Sequence, residues 1–330
     1  REKAGVAPAM PLVEEYKALS SFAEFAGKSA EYMLAGKPNF LRFDVAPDFM
    51  NAQMNVLWAD APGIILPDTT YYEEGNEKGK ELLAIWRKMQ EELLPQFGFS
   101  AEETKDILDK YLELDAKLAK YVLSNEETSE YVKLYHPYDW ADFTKLAPEL
   151  PLDAIFTEIL GQSPDKVIVP QERFWKEFAA EYYSEKNWEH LHAALKLFST
   201  GAWTSLLTEE IRVLSGTYVR AISGVPEARP KEKAAYQLAQ APYNQALGLW
   251  YAEEKFSPEA KADVEHKVKT MIDVYKSRLE TADWLAKETR DKAIVKLNVI
   301  TPHIGYPEKL PETYAKKVID EKLGLVENAQ

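Results

Sequence analysis

The chain has 330 residues, 46% of them hydrophobic, 12% aromatic and 28% charged, with a formal net charge of −14 and no cysteine. Such a length can bury a large core in one large or two ordinary domains, and the missing cysteine excludes disulfides, thiolate metal ligands, iron–sulfur clusters and a thiol nucleophile. The acidic balance repels phosphate backbones and anionic lipid, so nucleic acid is a poor candidate partner, and no apolar run approaches the roughly 18 residues that span a bilayer.

In chain order, Leu12, Val13, Tyr16, Leu19, Phe22, Ala23 and Ala26 recur at three- and four-residue steps and predict an opening helix that Gly36 and Pro38 stop. Leu41, Phe43 and Val45 then alternate with Arg42 and Asp44, the period of a half-buried strand, and Val56 to Ala59 can pair with it as a small hairpin. Pro62-Gly63-Ile64-Ile65-Leu66-Pro67-Asp68 predicts a rigid loop, because each proline fixes its own φ. Helices dominate from about residue 76. One reaches the Gly98 region, and Ser100 with Glu103 forms a capping box for a long helix carrying Ile107, Leu108, Tyr111, Leu112, Asp115 and Leu118.

Pro137, Pro148 and Pro151 punctuate short pieces between Asn125 and Pro151. A short helix follows from Leu152 to Leu160, stopped by Gly161, and Val167 to Val169 fits a short strand. Helices are expected from Phe174 to Tyr183 and from Trp188 to Ile222, with a connector from Gly224 to Pro230. Pro242 should kink or divide the next helix, and Ser257-Pro258 is an N-cap followed by a first-turn proline for a helix ending near Leu279. Asp283 to Leu297 reads as an amphipathic helix ending at a turn. The fold class expected is mainly α: a large multi-helix domain over residues 1–300 with a small β-hairpin, and a segment 301–330 that belongs to something further.

Chemistry is harder to find. The five histidines are His136, His190, His192, His266 and His303, and none is followed by Glu, so the two-histidine zinc helix His-Glu-x-x-His is absent. The inverted form fails as well, since Lys186 and Ala262 stand where its first histidine would be. His190 and His192, two apart on a helix, point away from each other and cannot share a metal without distortion. No Gly-x-Ser-x-Gly elbow and no phosphate-binding glycine loop occurs. Adjacent acids such as Glu73-Glu74 and Glu126-Glu127 read as solvated surface. The stripe Phe174, Trp175, Phe178, Tyr182 and Tyr183 reads as core packing.

Several segments together carry a family resemblance. Pro62 to Asp68 followed by Tyr71-Tyr72 resembles the Pro-Gly-Leu-x-Leu-Pro-Asp…Tyr-Tyr segment of neprilysin-type zinc metallopeptidases. Leu134-Tyr135-His136-Pro137, Asp165 to Val169 and Val225 to Arg229 resemble the bacterial oligopeptidase O (PepO) branch, and Ala246 to Tyr251 with Phe256 resembles the family's Leu-Gly…Tyr…Phe block. The most specific block is Trp284 to Pro307. The resemblance implies the helical cap lobe of an endopeptidase that hydrolyses oligopeptides before bulky hydrophobic residues, the cap enclosing a chamber that restricts substrate size. It places the zinc ligands and the Asn-Ala-Tyr/Phe-Tyr substrate strand beyond residue 330, and a substrate arginine before Arg1. No catalytic, cofactor-binding or metal residue is therefore carried onto this sequence: the expected cofactor is zinc of the complete protein, and this chain by itself is expected to be inactive. The expected partners are oligopeptides and its own C-terminal zinc domain. The other reading is a non-enzymatic helical protein that binds peptides or a partner, distinguished by whether the tail after Lys309 packs and whether the reading frame runs on to a zinc motif. Without cysteine, a bacterial cytoplasmic location is expected, with export left open because the chain has no initiator Met.

Overall fold

The computed structural model describes residues 2–329. The predicted opening helix is three: α1 (Met10–Ala18), α2 (Phe22–Gly27) and α3 (Ser29–Leu34). The break is local chemistry. Ser21 is extended and its hydroxyl accepts the Glu24 amide, while the Glu24 carboxylate accepts the Ser20 amide in return, which starts a new helix inside the apolar pattern.

Strand β1 (Arg42–Asp48) pairs antiparallel with β2 (Asn51–Asp60), as the alternation predicts. Helix α4 (Glu77–Leu93) follows, and α5 (Ala101–Leu118) starts at the predicted box, with Ser100 and Glu103 each accepting the other's backbone amide. The sheet is larger than a hairpin. β3 (Pro137–Asp139) and β4 (Lys166–Ile168) extend it to the order β1-β2-β4-β3, with β4 parallel to β2 and antiparallel to β3. Pro137 reads as punctuation in the sequence, but it opens an edge strand, where a missing N–H is tolerated.

Of the later helices, Leu152–Leu160 ends at Gly161 in the left-handed region as expected. The stretch expected as one helix from Trp188 is Trp188–Gly201, Glu209–Ser215 and Thr217–Ser223, because the Thr208 hydroxyl caps a new start. Pro242 divides its helix into Lys231–Gln240 and Asn244–Lys255 across a tight turn, and the helix after Ser257 is Pro258–Glu280. The last block forms Lys287–Asn298, beginning four residues later than the pattern suggests.

Two compact units result. One runs to Ala228 and includes the residues from Asp320 on; the other is Arg229–Ile319. Residues 301–319 thus group with the helices before them, and no boundary between units falls at residue 300.

The first unit holds the core, and it is aromatic. Phe43 from β1 meets Phe156 at 4.7 Å between ring centroids, and Phe143 meets Trp175 at 4.6 Å. The stripe at 174–183 is buried throughout, as its spacing predicts. Beside this core, the 62–68 loop is fixed by one carboxylate. Asp115 of α5, 2% exposed, accepts the Ile65 amide at 2.8 Å and the Tyr72 hydroxyl at 2.5 Å. Tyr72 in turn accepts the Leu66 amide, and the Tyr218 hydroxyl donates to the Ile65 carbonyl. The loop's backbone groups thus find partners where water cannot serve them.

Burial pushes the Asp115 carboxyl up to about 6, against the downward pull of the hydrogen bonds from Tyr72 and Ile65. Its folded pKa lies above the unfolded value, so the native state binds the proton more tightly. Stability from this group therefore rises as pH falls through 6 towards 4. Wild type should gain up to about 3 kcal/mol relative to Asp115→Asn between pH 7 and pH 4, read from paired urea melts. A close approach gives a second expectation. A Cβ on Gly79 would stand 1.9 Å from the Tyr71 carbonyl oxygen. Gly79→Ala, which ordinarily strengthens a helix by about 1 kcal/mol, should instead destabilise by about 2 kcal/mol or more in thermal or urea unfolding.

Candidate functional site

A concavity of the first unit lies on the outer face of the β1–β2 hairpin. Successive side chains of a strand point to opposite faces. Phe43, Leu57 and Ala59 turn to the core, which leaves Arg42, Asp44, Ala46, Trp58 and Asp60 on the other face. Register sets Arg42 opposite Asp60 and Asp44 opposite Trp58. Phe49 and Met50 at the hairpin tip, Tyr131, Val132 and Tyr135, and Pro170 wall this floor into a trough of about 1110 Å³.

The trough's end is braced by charge. Asp48, 6% exposed, accepts the Met50 amide at 2.9 Å and the Tyr135 hydroxyl at 2.8 Å, and pairs with Lys166 of β4. The Lys166 ammonium, then these hydrogen bonds, hold the Asp48 carboxyl down at about 2. Phe49 stacks on Tyr135 with centroids 5.9 Å apart and leans on Trp58 at 4.8 Å. The Trp58 indole N–H donates to the Ala46 carbonyl. The Asp44 and Asp60 carboxylates accept the amides of their own next residues, Val45 and Ala61; burial raises the Asp60 pKa, against the pull of the Ala61 amide and of the Arg42 charge across the strand pair. Sequence reasoning missed this trough. The alternation gave the two faces, but the segment 131–135 that walls the outer one carries no signal of where it folds.

The histidines do not converge. His190 lies 3.5 Å from Glu113 of α5, whereas the His192 Nε2–H donates to the Tyr16 carbonyl of α1 and its ring stacks on Trp188. Burial lowers the His192 pKa. The two thus face different elements, as their spacing predicts. The His136 Nδ1–H donates to the Val169 carbonyl just past the ends of β3 and β4. His266 and His303 are exposed in the second unit. Among the described residues, no three His, Asp or Glu side chains come together as a metal-ligand set. The donor atoms present do not fit a resident zinc ion, and no chemical step through one is assigned to them.

A helical chain carrying a four-stranded sheet, with the loop 62–72 pinned to α5, has the architecture of the N-terminal part of a neprilysin-like metallopeptidase. The family profile described as Peptidase family M13, for its N-terminal part, matches residues 1–307. The chain belongs to that family. It is 62% identical, over its whole length, to 58% of a Streptococcus gordonii protein named "Putative zinc metalloproteinase in scaA 5'region". It is 37% identical over 96% of its length to half of the neutral endopeptidase of Lactococcus lactis. Among solved structures it resembles PepO from Lactobacillus rhamnosis, with a TM-score of 0.90 and 26% identity, covering 99% of this chain and 52% of that one. The chain thus spans about half the length of the curated relatives it matches.

Asp48→Ala should free the Met50 amide, the Tyr135 hydroxyl and Lys166 together. Amide exchange across residues 49–55 should quicken by about tenfold while α5 keeps its protection. Unchanged exchange at the hairpin tip would show that Asp48 does not brace it.

Proposed function

We propose that this chain is the cap half of a zinc-dependent metalloendopeptidase that hydrolyses oligopeptides, with preference for a bulky hydrophobic residue just after the cut. On this reading its own C-terminal zinc domain is the partner that supplies the chemistry. The cap contributes walls and a size limit: a folded protein cannot enter an enclosed chamber, and a short peptide can. On this reading the chain by itself is inactive, since among the described residues no three potential metal ligands converge.

The observation that carries this reading is the state of the second unit. Helices Pro258–Glu280 and Lys287–Asn298 have no buried residue. Met271, Val274, Tyr275, Trp284, Val295 and Val299 are exposed, Trp284 by 78%. Isolated apolar side chains on a surface are ordinary, but runs of them on long helices mark a face that another body covers. The tail adds to this. Val318, Ile319, Leu323 and Leu325 are exposed, although Val326 is buried. Family membership and the names of the relatives, metalloproteinase and neutral endopeptidase, supply the class of reaction.

The purified chain should take up no stoichiometric zinc by equilibrium dialysis and should cleave no peptide in a mixed oligopeptide library. Mixing it with the zinc-bearing part should restore cleavage that a chelator abolishes. Metal-dependent cleavage by the chain unaided would overturn the proposal.

A further inference from the structure

The trough on the hairpin has no role in the reading above. Its walls are apolar and open: Phe49 is 52% exposed, Tyr131 63% and Val132 72%. Its floor carries Asp44 and Asp60, with Arg42 opposite Asp60. Arg42 also borders a second, narrow cavity with Asn39, Gly63 and Asp115, so it stands at the trough's end and not along it. Asp48 is neutralised by Lys166. The floor therefore has two carboxylates against one guanidinium, whose charge acts on Asp60.

The outer edge of β1 is an obvious place for an added strand, but it is blunted. Pro47 has no N–H to offer, and the Val45 amide is taken by the Asp44 side chain. Recognition here must come from side chains. An excess of carboxylates beside exposed aromatic rings suits a cation, because carboxylates attract it and ring faces add cation–π attraction. Apolar walls suit a bulky side chain next to it.

We infer that the trough is a binding site for a peptide segment that carries a basic group, a Lys or Arg side chain or a free amino terminus, beside a bulky apolar residue. Asp44 and Asp60 hold the cation, and Phe49, Tyr131 and Val132 hold the apolar neighbour. Occupied in this way, the site selects which oligopeptides the chain retains. The inference rests on the oligopeptidase reading for its class of ligand.

The test is binding by this chain alone, so it does not depend on cleavage. Two short fluorescein-labelled peptides share a central Phe-Leu pair, flanked by lysines in one and by glutamates in the other. By anisotropy the lysine peptide should bind about tenfold more tightly, and added salt should shrink the difference. The double variant Asp44→Asn/Asp60→Asn should abolish that preference. Tyr131→Ala should weaken the lysine peptide while leaving the melting temperature unchanged, since its side chain lies on the open wall. Binding of neither peptide, equal binding of both, or a preference that survives Asp44→Asn/Asp60→Asn would overturn the site. Each of those results leaves restored cleavage on mixing, and so the oligopeptidase reading, to stand or fall separately.

Discussion

Apolar burial is divided unequally along this chain, and most of its structure follows from that division. The first unit closes a core of interlocked aromatic rings from Tyr16 to Tyr183, where each ring removes a large apolar area from water. In the second unit, the helices between Lys231 and Asn298 bury a single side chain among the described residues, Ala252. A helix draws most of its stability from an apolar face packed on something else. Here intrahelical ion pairs such as Lys267 with Asp263, and Lys292 with Glu288, support the exposed faces, and such surface pairs contribute only about 0.3–0.5 kcal/mol each.

Within the first unit, one buried carboxylate organises the junction of sheet, loop and helix. Asp115 joins the loop after β2 to α5 through Ile65 and Tyr72. The same loop reaches Asn125, whose amide donates to Asp68, and Arg173 ties the carbonyls of Tyr121 and Val122 to Glu127. Removing such a buried acceptor costs more than the bond itself is worth, because its donors are left unpaired away from water. The hairpin that floors the trough leaves this junction at Asp60, and its far end is braced separately by Asp48 and Lys166.

Much of this was legible in the sequence. Capping chemistry placed Ser100 and Ser257 at helix starts, because each hydroxyl accepts a nearby amide, and Gly161 at a helix end, because glycine takes the left-handed backbone there without strain. The hairpin followed from period-two alternation at residues 41–45. What failed was non-local or mixed. The breaks at Ser20-Ser21 and at Thr208 lie inside apolar patterns that helical spacing alone would continue, and a capping hydroxyl overrode them. The short strand expected at Val167–Val169 is present as β4, but its pairing, like the whole of β3, depends on partners far away in sequence that no periodicity reveals. The trough was invisible for the same reason: its floor is at 42–60 and its wall at 131–135, and only the tertiary fold brings them together. Family resemblance supplied what the residues alone did not, and the matched profile bears out the family itself.

The oligopeptidase reading asks one thing of the second unit: that its exposed helix faces be covered by the zinc-bearing part. Hydrogen–deuterium exchange of Pro258–Glu280 and Lys287–Asn298, with and without that part, tests this most directly. The account predicts fast exchange in the chain alone and strong protection on mixing, confined largely to Arg229–Ile319. Helices already protected in the isolated chain, or unchanged on mixing, would contradict it.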